Sequence, residues 1–280
     1  MTPTMLRGAL RQAAIELRVQ LFSWNVLSWL LLPGIGLGVL LLLRDRRVID
    51  TDLSLAQLGV PGILAFTLLS GAVMGAAGQL LTERDDGTLL RSKAVPGGMP
   101  SHLLGNVFIL SVTTLLPTMV LLLLASLLVD GIAPTTAGSW STLIWVSLLG
   151  MAACAPWGGV LGAILKDPVM MWITALVVYA SMAVSGIFYP ITALPDWLAV
   201  LGKCLPTYWI GLGYRSALLP PEAAALEAGG SWQTGLTALV LTGWALVGLS
   251  VAPRALLRLA RRQSGSQVAA ARDRIMSRGY

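Results

Sequence analysis

LGVPGILAFTLLSGAVMGAAGQLLTERDDGTLLRSKAVP, residues 58–96, sets two opposite kinds of sequence side by side. From Leu58 to Leu81 there is no Asp, Glu, Lys, Arg or His. As a helix rising about 1.5 Å per residue, that run is long enough to cross a hydrocarbon layer of about 30 Å. Glu83, Arg84, Asp85 and Asp86 then end it abruptly. Gly87 permits a turn, Leu89, Leu90 and Ala94 share one side of a short helix, and Pro96 stops that helix. The stretch reads as a membrane span running into a small amphipathic knob, or alternatively into a solvated loop with a chance run of charge.

The rest of the chain repeats the first half of that pattern. Of 280 residues, 56% are apolar and only 11% charged, where a soluble domain carries about 25% charged residues. Mean hydropathy is +0.77. Such a chain lacks the polar surface that a soluble enzyme, a disordered regulator or a nucleic-acid binder needs, which leaves an integral membrane protein. The length allows about five to seven spans, hence one membrane domain with no room for a separate nucleotide-binding domain. Cys154 and Cys204 are scattered and suit neither a disulfide framework nor a metal site. The first 22 residues carry charge throughout and lack the pattern of a cleavable signal peptide.

The expected fold class is all-α, a polytopic membrane protein with six transmembrane helices. Residues 1–22 form an amphipathic interfacial helix. Arg7, Arg11 and Arg18 lie on one face, opposite Met5, Leu6, Ala9, Leu10, Ala13 and Leu17; a solvated helix packed on a partner is the other reading. A single transmembrane domain covers 23–252, with spans at about 24–43, 58–82, 103–129, 140–165, 169–188 and 232–252. Between the last two, 189–215 is broken by Pro190, Pro195 and Pro206 and is too short and polar to cross, so a re-entrant segment is expected. A basic tail, 253–280, follows.

Positive charge orients the spans. With six crossings, one side collects 14 of the 19 Lys and Arg, including seven in the tail, and the other collects five. Both termini are therefore expected in the cytoplasm, although Arg44, Arg46 and Arg47 fall on the opposite side. The spans themselves hold no ionisable residue at depth, which argues against proton coupling and against a membrane-embedded enzyme. No His-Glu-x-x-His, Gly-x-Ser-x-Gly or phosphate-binding Gly-x-x-x-x-Gly-Lys-Ser/Thr occurs. No catalytic or metal-binding residue is expected, and His102, the one histidine, sits at a span edge. If the protein moves a substrate, the energy must come from another subunit. Gly34/Gly38, Gly71/Gly75 and Gly158/Gly162 each form Gly-x-x-x-Gly, for which close packing within the chain is the default expectation.

Two stretches carry a resemblance. Glu83-Arg84-x-x-Gly87-Thr88-Leu89-x-Arg91 with Pro96 resembles the segment after the second span of type-2 ABC exporter permeases, where it forms a coupling helix seated in the ATPase. Gly186-x-Phe188-Tyr189-Pro190 with Leu194-Pro195 and, further on, Pro206 resembles the end of that family's fifth span and its two short re-entrant helices. Size and the Leu-Pro-x-Trp-Leu pattern are most similar to daunorubicin/doxorubicin-type efflux permeases. The resemblance implies an ATP-driven exporter subunit for hydrophobic or amphipathic compounds, in a bacterial inner membrane. It also implies a coupling helix at about 84–95 and an extracellular gate around Tyr189 and Pro190. The implied partners are an ABC ATPase subunit carrying the ATP and Mg, a second permease copy or related permease, and the lipid bilayer. No nucleic acid is expected as a partner, and no cofactor on this chain. Trp29, Phe66, Met74, Met182 and Phe188 are offered along the family's path by the first, second and fifth spans; Met adapts to varied apolar shapes, although such residues commonly just pack or face lipid. A polysaccharide or lipid exporter of the same superfamily, or a membrane scaffold or sensor, are the other readings.

Overall fold

A computed structural model describes residues 24–47, 53–85, 98–165, 168–189, 191 and 194–277. The expected interfacial helix at 1–22 lies outside these residues, as does most of the expected coupling helix. Among the described residues the chain forms α-helices α1 (Trp24–Leu42), α2 (Leu55–Asp85), α3 (Gly98–Leu128), α4 (Ala137–Ile164), α5 (Met171–Val184), α6 (Asp196–Cys204), α7 (Pro206–Leu218) and α8 (Thr234–Ser277). Short 3-10 turns precede α5 (Pro168–Met170) and follow α7 (Pro221–Leu226). An isolated bridge joins Arg47 to Ser54. Helices dominate because a chain in hydrocarbon must satisfy its own backbone polar groups.

Among the described residues four helices are long and apolar enough to cross a membrane: Leu55–Arg84, Gly105–Leu128, Ala137–Ile164 and Thr234–Leu256. α1, apolar over Leu31–Leu42, and α5 are shorter. α5 has 14 residues, about 21 Å of helix, and stops four residues before the expected end of the fifth span. The cause is Gly186, whose φ of +61° turns the chain out of the helix. α2 begins three residues earlier than the apolar run suggested. Ser54 Oγ accepts from the Gln57 amide at 3.1 Å and Gln57 Oε1 accepts from the Ser54 amide at 2.9 Å, a reciprocal capping box. At the other end α8 continues as one helix through Pro253 to Ser277, with no break where the basic tail begins.

α2 is the hub. Buried residues surround it, including Ile63, Leu64, Phe66, Leu68, Val73 and Leu80, as expected of a helix apolar on every side. Across its apolar window 72% of the residues are buried, against 28–39% in α3, α4 and α8. α4 crosses α2 in backbone contact: a Cβ at Gly162 would lie 2.8 Å from the Ala77 carbonyl oxygen, and one at Gly158 would run into that of Val73. Gly71 and Gly75 give room instead to Thr114 and Leu110 of α3. Gly34 and Gly38 face open space, so the default expectation of packing within the chain holds for two of the three glycine pairs.

Opposite ends of α2 are tied to its neighbours. Gln57 Nε2 donates to the Asp130 carbonyl, just beyond α3, at 2.9 Å. At the far end Arg84 reaches Leu165, just beyond α4. α2, α3 and α4 therefore alternate in direction with their ends level.

Candidate functional site

The first candidate region is the end of α2. Glu83 and Arg84 are consecutive, so on a helix they point about 100° apart and meet different neighbours. Glu83 Oε1 accepts from Asn106 Nδ2 of α3. Arg84 Nη1 donates to the Leu165 carbonyl at 2.5 Å, beside the C-terminus of α4, where carbonyls lack intrahelical partners. A cation there also complements the helix dipole. Two adjacent side chains thus bind three long helices together where the chain enters 86–97. Gly87, Thr88, Leu89, Arg91 and Pro96 lie in that segment, outside the described residues. Asn106 is the partner that sequence reasoning left unassigned; its position near a span end was visible, but its pairing with Glu83 needed the helix crossing.

The second region is the turn at 185–189 and the hairpin behind it. Ser185 is fully buried and Ile187 nearly so. A Cβ on Gly62 would lie 2.5 Å from the Ile187 carbonyl, so the turn sits directly on α2. Gly186 makes the turn, and a Cβ there would also crowd Ile191 and Tyr189 at 3.1 Å. Phe188 is exposed, and the Tyr189 hydroxyl donates back to the Ala183 carbonyl. Pro190 lies outside the described residues. Leu194 packs against the core, Pro195 caps α6, and buried Pro206 opens α7 at a position where no amide hydrogen is needed. The two short helices expected here are present. α7 is buried along almost its whole length; Tyr214 joins Ser147 of α4 at 2.8 Å, and Trp244 of α8 donates to the Cys204 carbonyl at 2.9 Å.

The expected path residues Trp29, Phe66, Met74 and Met182 lie on α1, α2 and α5. Phe66 is buried and stacks on Tyr179 of α5, ring centroids 6.0 Å apart. Met74 and Met182 are half-buried against the core. Trp29 lies on α1, its side chain outside the description. A separate apolar crevice of about 130 Å³ opens between α3 and α4, lined by Leu64, Leu115, Met119, Leu143, Ser147 and Tyr214.

Sequence reasoning also missed a buried ion pair. Arg215 of α7 and Glu227, just after the second 3-10 turn, lie with Nε and Oε1 2.5 Å apart. Counted by sequence as a loop charge, Arg215 is in fact only 5% exposed. The visible signal was an opposite pair of ionisable residues 12 apart in a segment otherwise poor in charge.

The sequence model of the ABC-2 family transporter proteins matches residues 49–252. The chain belongs to the ABC-2 transporter family. No curated protein matches it. The match runs from just before α2 into α8 and includes both candidate regions. The chain is thus a membrane-embedded component of an ABC-2 transporter, and membrane subunits of that family generally pair with an ATPase subunit.

Proposed function

We propose that this ABC-2 family member is the permease subunit of an ATP-driven exporter for hydrophobic or amphipathic compounds, of the drug-efflux branch. Two copies, or this chain and a related permease, pair in a bacterial inner membrane with both termini in the cytoplasm. Separate ATPase subunits bind below and carry the ATP and Mg. The observation that carries the proposal is the tie of Glu83 to α3 and of Arg84 to α4 at the mouth of segment 86–97. A push on that segment enters α2, and with it two further long helices at once.

The first, second and fifth spans line the path between the paired subunits, and the six crossings include α1 and α5. Closure of the ATPase dimer drives the 84–95 knob, α2 carries the displacement through the core, and the turn at 186–190 releases cargo outside. Apolar cargo is supported by the uncharged spans and by the apolar lining of the crevice beside Tyr214.

The test begins with purification of the full chain from its own membranes, where an ATPase should accompany it in stoichiometric amount. Leu89→Glu should then abolish substrate-stimulated ATP hydrolysis while leaving membrane insertion intact. Normal transport and hydrolysis in that variant would sink the assignment.

A further inference from the structure

Arg215 joins three separate parts of the chain, the turn at 187, its own helix α7 and the segment at 227. Its Nε and Nη2 meet the two carboxylate oxygens of Glu227 at 2.5 and 3.3 Å. Its Nη1 points elsewhere, to the Ile187 carbonyl at 3.4 Å. Both side chains are buried. Attraction in such a pair is offset by the loss of hydration, so stability alone is a weak reason for its presence. What the guanidinium supplies is direction: Nη2 donates to Glu227 Oε2 while Nε stands against Oε1 as an ion-pair contact, so one edge of the planar group is held and Nη1 faces the other way.

The helix that carries it is itself held. Gly213 lies against Val146 of α4, where a Cβ would come within 2.6 Å, and Tyr214 is bonded to Ser147. α7 and Glu227 therefore form the fixed side against which the 185–189 turn is seated. The contact to Ile187 is also the longest of the three and has a neutral acceptor, so it gives way before the ion pair does.

We infer that Arg215 is a positioning residue for the outer gate: with Glu227 holding its guanidinium, it seats the 186–189 turn against α7, and opening breaks its bond to Ile187. This rests on the gate reading proposed above.

The test uses intact cells producing the full chain with Cys204→Ser, since Cys204 is exposed and Cys154 buried. Ser185→Cys places a thiol at a fully buried position in the turn, and Thr135→Cys gives an exposed control in another loop. Both are labelled with a membrane-impermeant maleimide. Arg215→Lys and Glu227→Gln, which keep most of the volume, should each speed labelling at 185 about tenfold, the shift expected from losing one net hydrogen bond. Labelling at 135 should not change. An unchanged rate at 185 in both variants overturns the inference, and so does an equal rise at both positions, which marks general loosening. A faster thiol in a chain that binds no ATPase keeps the clamp and sinks the exporter. A thiol at its original rate in a chain with its ATPase does the reverse.

Discussion

Gly158 and Gly159 are neighbours in one helix, and only one of them faces another backbone. A Cβ at Gly158 meets the Val73 carbonyl, main chain that cannot swing aside, whereas a Cβ at Gly159 meets nothing within 4 Å. Gly158→Ala should therefore destabilise the protein by about 1–3 kcal/mol through overpacking. Gly159→Ala should be neutral or slightly stabilising, because alanine favours helix. Thermal unfolding in detergent separates the two, and equal midpoints would show that α4 does not lie so close to α2. The spacing of Gly158 and Gly162 was plain in the sequence. Which glycine pairs are used was not, since Gly34 and Gly38 have the same spacing and face open space. Ser54 and Gln57 teach the opposite lesson: their Ser-x-x-Gln spacing is local information, and the start of α2 was legible there rather than in the apolar run that begins at Leu58.

Among the elements, α2 is the most enclosed by its neighbours, and its last turn is tied to two of them. Arg84→Met removes a charge-assisted bond to the end of α4 while keeping most of the side chain's apolar stem. Loss of such a bond corresponds to about tenfold or more in an equilibrium. On the proposed coupling to an ATPase, substrate-stimulated ATP hydrolysis should fall by about that factor in the assembled complex, with partial recovery in Arg84→Lys, which keeps the charge but not the fork. A stimulated rate unchanged in Arg84→Met would mean that force does not pass from α2 to α4 at this point. The hairpin α6–α7 shows a different limit of sequence reasoning. Its prolines marked a broken segment and the family resemblance implied two short helices, but the spacing of Arg215 and Glu227 did not say that Arg215 is buried, because burial depends on Glu227 and Ile187 arriving from other elements.

At the scale of the whole molecule, Gln57–Asp130 and Arg84–Leu165 place the first and last turns of α2 level with the C-terminal ends of α3 and α4 respectively. If the charge bias sets orientation, thiols introduced by Asp45→Cys and Thr135→Cys should be labelled from outside intact cells. One introduced by Asp85→Cys should react only after the cells are permeabilised. Labelling in the reverse pattern would invert the topology, and labelling at 45 and 135 from opposite sides would remove one of the six crossings.

The residues 58–96 by themselves determined that the chain is a membrane protein and where its charge begins. Twenty-four residues free of ionisable groups have one comfortable environment, and a helix is the cheapest backbone in it. They did not reveal that this span is the buried hub of the bundle. Every span in the chain is apolar, and an apolar side chain serves equally against lipid or protein, so composition cannot say which helix goes inside. That choice was made by small residues at crossings, by Asn106 and Leu165 meeting Glu83 and Arg84, and by a buried arginine that three separate segments share. Each is a contact between elements, which exists only once the helices have packed.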